Sequence, residues 1–168
     1  MTASTPALSR SRKAASPSGL QFKKILAPTD FSPASRNGLK HALRFAEEFG
    51  AELTLLYVLE PPASASFVAI PGAVTFSEAD FAEAEKNLRS LVASVGHRNE
   101  EPLWKVRVGV PSHEIVEAAK EADVDLIVIA THGYTGWKHF CIGSTAERVV
   151  RAAPCPVLVV REKEQELL

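Results

Sequence analysis

The chain has 168 residues, 46% of them hydrophobic and 23% charged, which is the balance of one globular domain with a sizeable core. Nineteen Lys and Arg against twenty Asp and Glu leave a formal net charge of -1, so no global field draws the molecule toward nucleic acid or anionic membranes. No apolar run approaches the roughly 20 residues that a bilayer crossing needs, and the two cysteines, Cys141 and Cys155, are too few for a disulfide framework and lack a second cysteine at metal-ligand spacing.

Residues 1–20 are rich in Ser, Ala and Pro, carry Arg10, Arg12 and Lys13, and show no helical or strand period; the first acidic residue is Asp30. Such a segment reads as a disordered basic tail. Its composition also admits an organelle transit peptide, although it forms no clear amphipathic face, and no apolar stretch follows the basic residues as a secretory signal would require. A cytoplasmic domain over residues 21–162, with a polar tail at 163–168, is the expectation.

The folded part opens with a short apolar run, residues 25–27, that reads as a buried strand stopped by Pro28. Ser32 before Pro33 is a helix start, Leu39, Ala42, Leu43, Ala46 and Phe49 share one helical face, and Gly50 is the stop. A second strand is expected at 53–59. The stretch 61–74, rich in Pro, Ala and Ser, is longer than most connections and reads as loop. Ser77 begins a second helix through Phe81, Ala84, Leu88, Leu91, Val92 and Val95, closed by Gly96. Residues 103–108 give a third strand, and Gly109, Pro111 and Ser112 open a helix through Ile115, Val116 and Ala119. The fourth strand, from Asp125 to Ala130, is nearly all apolar after its first residue, as a central parallel strand should be. Gly143 and Ser144 start a last helix through Ala146, Val149 and Val150, and residues 156–160 form a fifth strand.

Five strands separated by helix-length segments require right-handed crossovers, so the fold class is α/β, a single open doubly wound parallel sheet of Rossmann-like type with helices on both faces. In such sheets ligands bind beyond the carboxyl ends of the strands, where strand order reverses. The segments there are Pro28, Thr29 and Asp30, then Val58 to Glu60, and then Thr131 to Thr145. The last holds Gly133, Gly136 and Gly143 and ends in Ser144 and Thr145 at a helix start. Glycine permits close backbone approach, and a helix N-terminus offers unpaired N–H groups, so amides around Gly133 and Gly143 are expected to converge on a phosphate.

Spacing alone leaves plainer readings open. The glycines could serve turn geometry only, and Ser144 could be an ordinary cap. No Walker-type loop and no G-x-G-x-x-G after the first strand is present, which excludes those two nucleotide-binding families. His132, His139 and Cys141 cluster in sequence without a carboxylate nearby, which argues against zinc. Trp137 and Phe140 fit packing over the last helix better than a grip for a partner.

Three strings carry a resemblance: Lys24-Ile25-Leu26-Ala27-Pro28-Thr29-Asp30-Phe31-Ser32, Ala130-Thr131-His132-Gly133-Tyr134-Thr135-Gly136, and Ile142-Gly143-Ser144-Thr145-Ala146-Glu147-Arg148-Val149-Val150 running on through Ala153-Pro154-Cys155-Pro156 to Val160. In order and spacing, from about Phe22 to Arg161, they resemble the universal stress protein (UspA) family. The resemblance implies strand order 3-2-1-4-5 and a homodimer pairing through the last strand, between Pro156 and Val160. The family contains members that bind ATP and members that do not. Its binding pattern is Gly, two residues, Gly, nine residues, Gly, then Ser or Thr; here Gly133, Gly143 and Ser144 match, while Ala130 stands at the first position, against the ribose in binders. Carried over, Asp30 and Val58 would hold adenine, Pro28 and Thr29 would line its pocket, and Gly133, Gly143, Ser144 and Thr145 would meet the phosphates, with His132 beside them. The implied function is a dimeric, ATP-responsive stress or signalling factor, with or without magnesium, acting on an unknown protein partner. Two alternatives remain: a nucleotide-free dimeric adaptor, favoured by Ala130, and a slow ATPase with His132 as base, which lacks an evident magnesium carboxylate or arginine finger.

Overall fold

The computed structural model describes residues 21–61, 76–95, 101–131 and 142–161. Within them the order is β1 (Lys24–Thr29), α1 (Pro33–Phe49), β2 (Glu52–Leu59), α2 (Glu78–Val95), β3 (Leu103–Val108), α3 (Pro111–Ala122), β4 (Leu126–Ala130), α4 (Ser144–Ala152) and β5 (Val157–Val160). The strands form one sheet in the order β3-β2-β1-β4-β5, every neighbouring pair parallel, as the sequence and its resemblance lead one to expect. Parallel neighbours need crossovers over a face of the sheet, and the helices supply them.

Side chains alternate across each strand, so an uninterrupted apolar run feeds two cores at once. Ile25, Leu55 and Val128 turn toward α1 and α2, where Leu39, Ala42, Leu88 and Val92 meet them. Leu26, Leu56 and Ile127 turn the other way, against Ile115 and Ala119 of α3 and Ala146 and Val149 of α4. Ile25, Leu26, Leu55, Leu56 and Ile127 are all buried completely or nearly so, and each contributes about 1.5–3 kcal/mol by leaving water.

Helix ends follow local chemistry. Ser32 caps α1, its Oγ accepting from the Ser35 amide at 3.1 Å, with Pro33 at the first helical position. Gly50 ends that helix in the left-handed conformation, φ 65°. At the start of α2 the Ser77 amide donates to an Asp80 carboxylate oxygen at 2.7 Å, half of a capping box. Asp123 ends α3 with φ 53°.

Several strand boundaries differ from expectation by a residue or two, and at two of them the structure shows what sets the boundary. Pro28 does not stop β1: the strand continues to Thr29, and Pro28 pairs in register with Leu56 of β2. The reason lies in which way the missing N–H points. The Lys24 carbonyl accepts from Asp125 on the β4 side, so alternation aims Pro28 to that side too. There the β1–β4 ladder has already lapsed after Leu26 and Ile127, so no donor is missed. Asp125, in turn, is a tether ahead of β4. Its carboxylate accepts from the Lys23 and Lys24 amides at 2.7 and 2.9 Å and joins the start of β1 to the start of β4. Among the described residues no helix is long and apolar enough to cross a membrane. The anticipated tails at 1–20 and 163–168, the 61–74 loop beyond its first residue, and Gly96 lie outside the described residues.

Candidate nucleotide-binding cleft

Strand order reverses between β1 and β4, and there the sheet opens. Pairing of β1 with β4 covers only Ile25 with Leu126 and Leu26 with Ile127, whereas β1 and β2 stay in register to Thr29 and Tyr57. The carboxyl ends of β1 and β4 therefore part, and a cleft of about 540 Å³ occupies the gap. Pro28, Thr29 and Asp30 line it from β1, Val58 and Glu60 from the end of β2, Ala130 and Thr131 from β4, and Gly143, Ser144 and Thr145 from the start of α4. Of the sequence-derived candidates, Pro28, Thr29, Asp30, Val58, Ala130, Gly143, Ser144 and Thr145 thus share one cleft, and His132 and Gly133 lie outside the described residues.

The β1 wall is built by a chain of hydroxyls. The Ser35 hydroxyl donates to the Ser32 carbonyl at 3.0 Å, which leaves its oxygen to accept from the Thr29 hydroxyl at 3.1 Å; the Thr29 oxygen accepts in turn from the Phe31 amide at 3.1 Å. Thr29 and Ser35 are buried, so each of these donors and acceptors must be satisfied internally. The chain turns the backbone sharply at Phe31, which sits at φ 63°, an uncommon conformation for an aromatic residue. Asp30 rides on this turn, its Oδ1 accepting from the Ser32 amide at 3.0 Å. The Phe31 ring packs on Tyr57 with centroids 4.6 Å apart. Burial, and then the nearby Asp30 and Glu83 charges, push the Tyr57 phenol above its ordinary value, so it stays neutral.

On the opposite side, one expectation needs correcting. The Gly143 amide does not face a ligand, because it donates to the Thr131 carbonyl at 2.6 Å. The bond joins the two ends of the intervening stretch, and Gly143 serves as N-cap of α4 with no side-chain cap. The first intrahelical bond runs from the Glu147 amide to the Gly143 carbonyl at 2.9 Å. The amides of Ser144, Thr145 and Ala146 are therefore the ones left without intrahelical partners at the cleft.

Ala130 also has a definite direction. Alternation along β4 puts its methyl with Leu126 and Val128, on the α1 side. A Cβ built on Gly38 of α1 would lie 3.8 Å from it, so α1 approaches closely there. The α3–α4 side of the cleft is lined by Ile115 and Ile129 instead.

Sequence reasoning missed two parts of the lining. The start of α3 contributes Val110 and Ser112, and α4 contributes Arg148. Gly109 makes the α3 turn possible with φ 147°; a Cβ there would come within 2.8 Å of the Glu114 carboxylate, which Arg107 holds at 3.3 Å. Helical spacing could have found Arg148, since it lies three and four residues after Thr145 and Ser144. Among the described residues no cluster of His, Cys, Asp and Glu could hold a metal ion, and the His132, His139 and Cys141 group, against which the sequence argues as a zinc site, lies outside them.

Comparison with known proteins agrees with this architecture. The family model described as the universal stress protein family matches residues 21–161. Universal stress protein MJ0531 of Methanocaldococcus jannaschii is 36% identical over 151 residues, 86% of this chain and 85% of that protein. Universal stress protein UspA from Lactobacillus plantarum superposes with a TM-score of 0.65 at 27% identity, covering 85% of this chain and all of the other. A universal stress protein from Archaeoglobus fulgidus, solved in complex with dAMP, shares the fold at a TM-score of 0.57 and 23% identity, over 83% of this chain and 98% of that one.

Proposed function

The chain belongs to the universal stress protein family, and from that premise we propose that it binds ATP in the cleft between β1 and β4 and acts as a dimeric, nucleotide-responsive stress or signalling factor. The observation that carries this reading is the two-sided lining: Asp30 and Val58 at one end of the cleft, and at the other the amides at the start of α4, which have no intrahelical partner, with the Ser144 and Thr145 hydroxyls. Adenine, with its exocyclic amino donor and flat apolar faces, suits the Asp30 and Val58 end, with Pro28 and Thr29 beside it. The phosphates suit the α4 end, where N–H groups and the helix dipole favour negative charge. Each charged hydrogen bond contributes about 1.5–3 kcal/mol. Three of them, less an association cost of several kcal/mol, leave affinity in the micromolar range once adenine contacts are added. The relative solved with dAMP lends the reading support, as an adenine nucleotide held by the same fold.

Magnesium, where present, would arrive on the nucleotide. The acidic residues lining the cleft among those described, Asp30 and Glu60, both belong to the β1–β2 end. A metal at the α4 end would then be held by phosphate oxygens and water, the usual manner of that ion.

Ala130 favours the second reading, a nucleotide-free dimeric adaptor. Its methyl, however, lies toward Gly38 and α1, so it leaves clear the part of the cleft beside Ile115 and Ile129. Isothermal titration with Mg-ATP, protein and ligand near a millimolar, separates the two. The expected result is saturable heat with a micromolar Kd. Absence of heat from folded protein would overturn ATP binding and leave the adaptor.

A further inference from the structure

We propose that Arg148 makes this cleft count phosphates, favouring adenine nucleotides that carry a β-phosphate over those that end at the α-phosphate; the inference rests on the ATP reading above. Ala146 and Val149 of α4 are buried against the sheet. Residue 148 follows Thr145 by three positions and Ser144 by four, so the three share a strip of the helix surface. That strip borders the cleft, where all three are lining residues.

Direction follows from helix stereochemistry. A long side chain on a helix leans back over the turn N-terminal to its own Cα. From position 148 that turn is the start of α4, whose amides have no intrahelical partner. The guanidinium thus belongs to the same end of the cleft as those amides. It is the one cation among the described lining residues, since Asp30 and Glu60 carry the opposite sign.

Arg148 is also uncommitted. Its helix neighbour Arg151 is paired with Glu147 at 2.8 Å, and Arg107 is paired with Glu114 and Glu121. Among the described residues Arg148 makes no ion pair, and its side chain is exposed to the cleft and solvent. A guanidinium offers a rigid fork of donors suited to phosphate oxygens, and with one phosphate held by the α4 amides this fork is left to take the next. Nothing in the core depends on it, because α4 packs through Ala146 and Val149.

Titration calorimetry of the full chain with ATP, AMP and adenosine tests the assignment, in wild type, Arg148→Gln and Arg148→Lys. The expected result for Arg148→Gln is a loss of about tenfold or more in ATP affinity, with AMP and adenosine within about twofold of wild type. Arg148→Lys, which keeps the charge but not the fork, should fall between. Equal losses for ATP and AMP, or an unchanged ATP-to-AMP ratio, would overturn the role of Arg148 while leaving nucleotide binding intact. Failure of wild type to bind ATP would remove the premise instead. Unchanged melting temperatures of both variants exclude a merely structural effect.

Discussion

Thr29 shows how a single hydroxyl holds a functional wall in place. It accepts from the Phe31 amide and donates to Ser35, in a spot that water hardly reaches. Thr29→Val keeps the shape and removes both bonds, so the Phe31 amide loses its partner, at a cost of about 1–3 kcal/mol. Chemical denaturation should record that loss, and ATP affinity should fall with it, because the turn bearing Asp30 would relax. At this scale the sequence was legible where a residue's role is carried by type and neighbours. Ser32 with Pro33 announces a capped helix, and Asp30 and Ser144 stand at strand and helix ends, where ligands gather. It was illegible where a role depends on which partner takes a donor. The Gly143 amide goes to Thr131, and no pattern of glycines reveals that. Arg148, flanked by Glu147, reads as an ordinary charged helix surface until the cleft beside it is known.

Between elements, Asp125 clamps the first turn of the sheet. Hydrogen bonds from the Lys23 and Lys24 amides, and then the charges of those lysines, hold its carboxyl below the usual carboxylate range. A group whose folded-state pKa is lowered contributes stability above its unfolded pKa and loses it as pH falls through the folded one. Asp125→Asn should therefore lower the melting temperature at pH 7, and the gap to wild type should close as pH drops below about 4. A gap that stays constant from pH 7 to strongly acid solution would show that the charge does not matter. Element identity was readable because helical and strand periods differ, and the strand order came with the family resemblance. Strand ends were less readable. Pro28 looks like a terminator in one dimension, whereas in the sheet its missing donor faces a side where pairing has ended. Asp125 looks like a strand's first residue because its side-chain bonds reach about a hundred positions back along the chain.

For the molecule as a whole, the sheet has two edges, β3 and β5, and an edge strand with free backbone groups invites a second copy. The proposed homodimer joins β5 to β5. Native mass spectrometry of the purified protein should report about twice 18.1 kDa and any nucleotide carried through purification. Val157→Lys, at a half-buried position on β5, should shift the population toward the single chain. A variant that remains fully dimeric would move the interface elsewhere. The Thr131 to Gly143 bond also has an engineering consequence. It ties the residue after β4 to the cap residue of α4, so backbone atoms alone set the start of that helix against the sheet. Substitutions that change only the Thr131 side chain should leave that tie in place, since main-chain atoms alone make it.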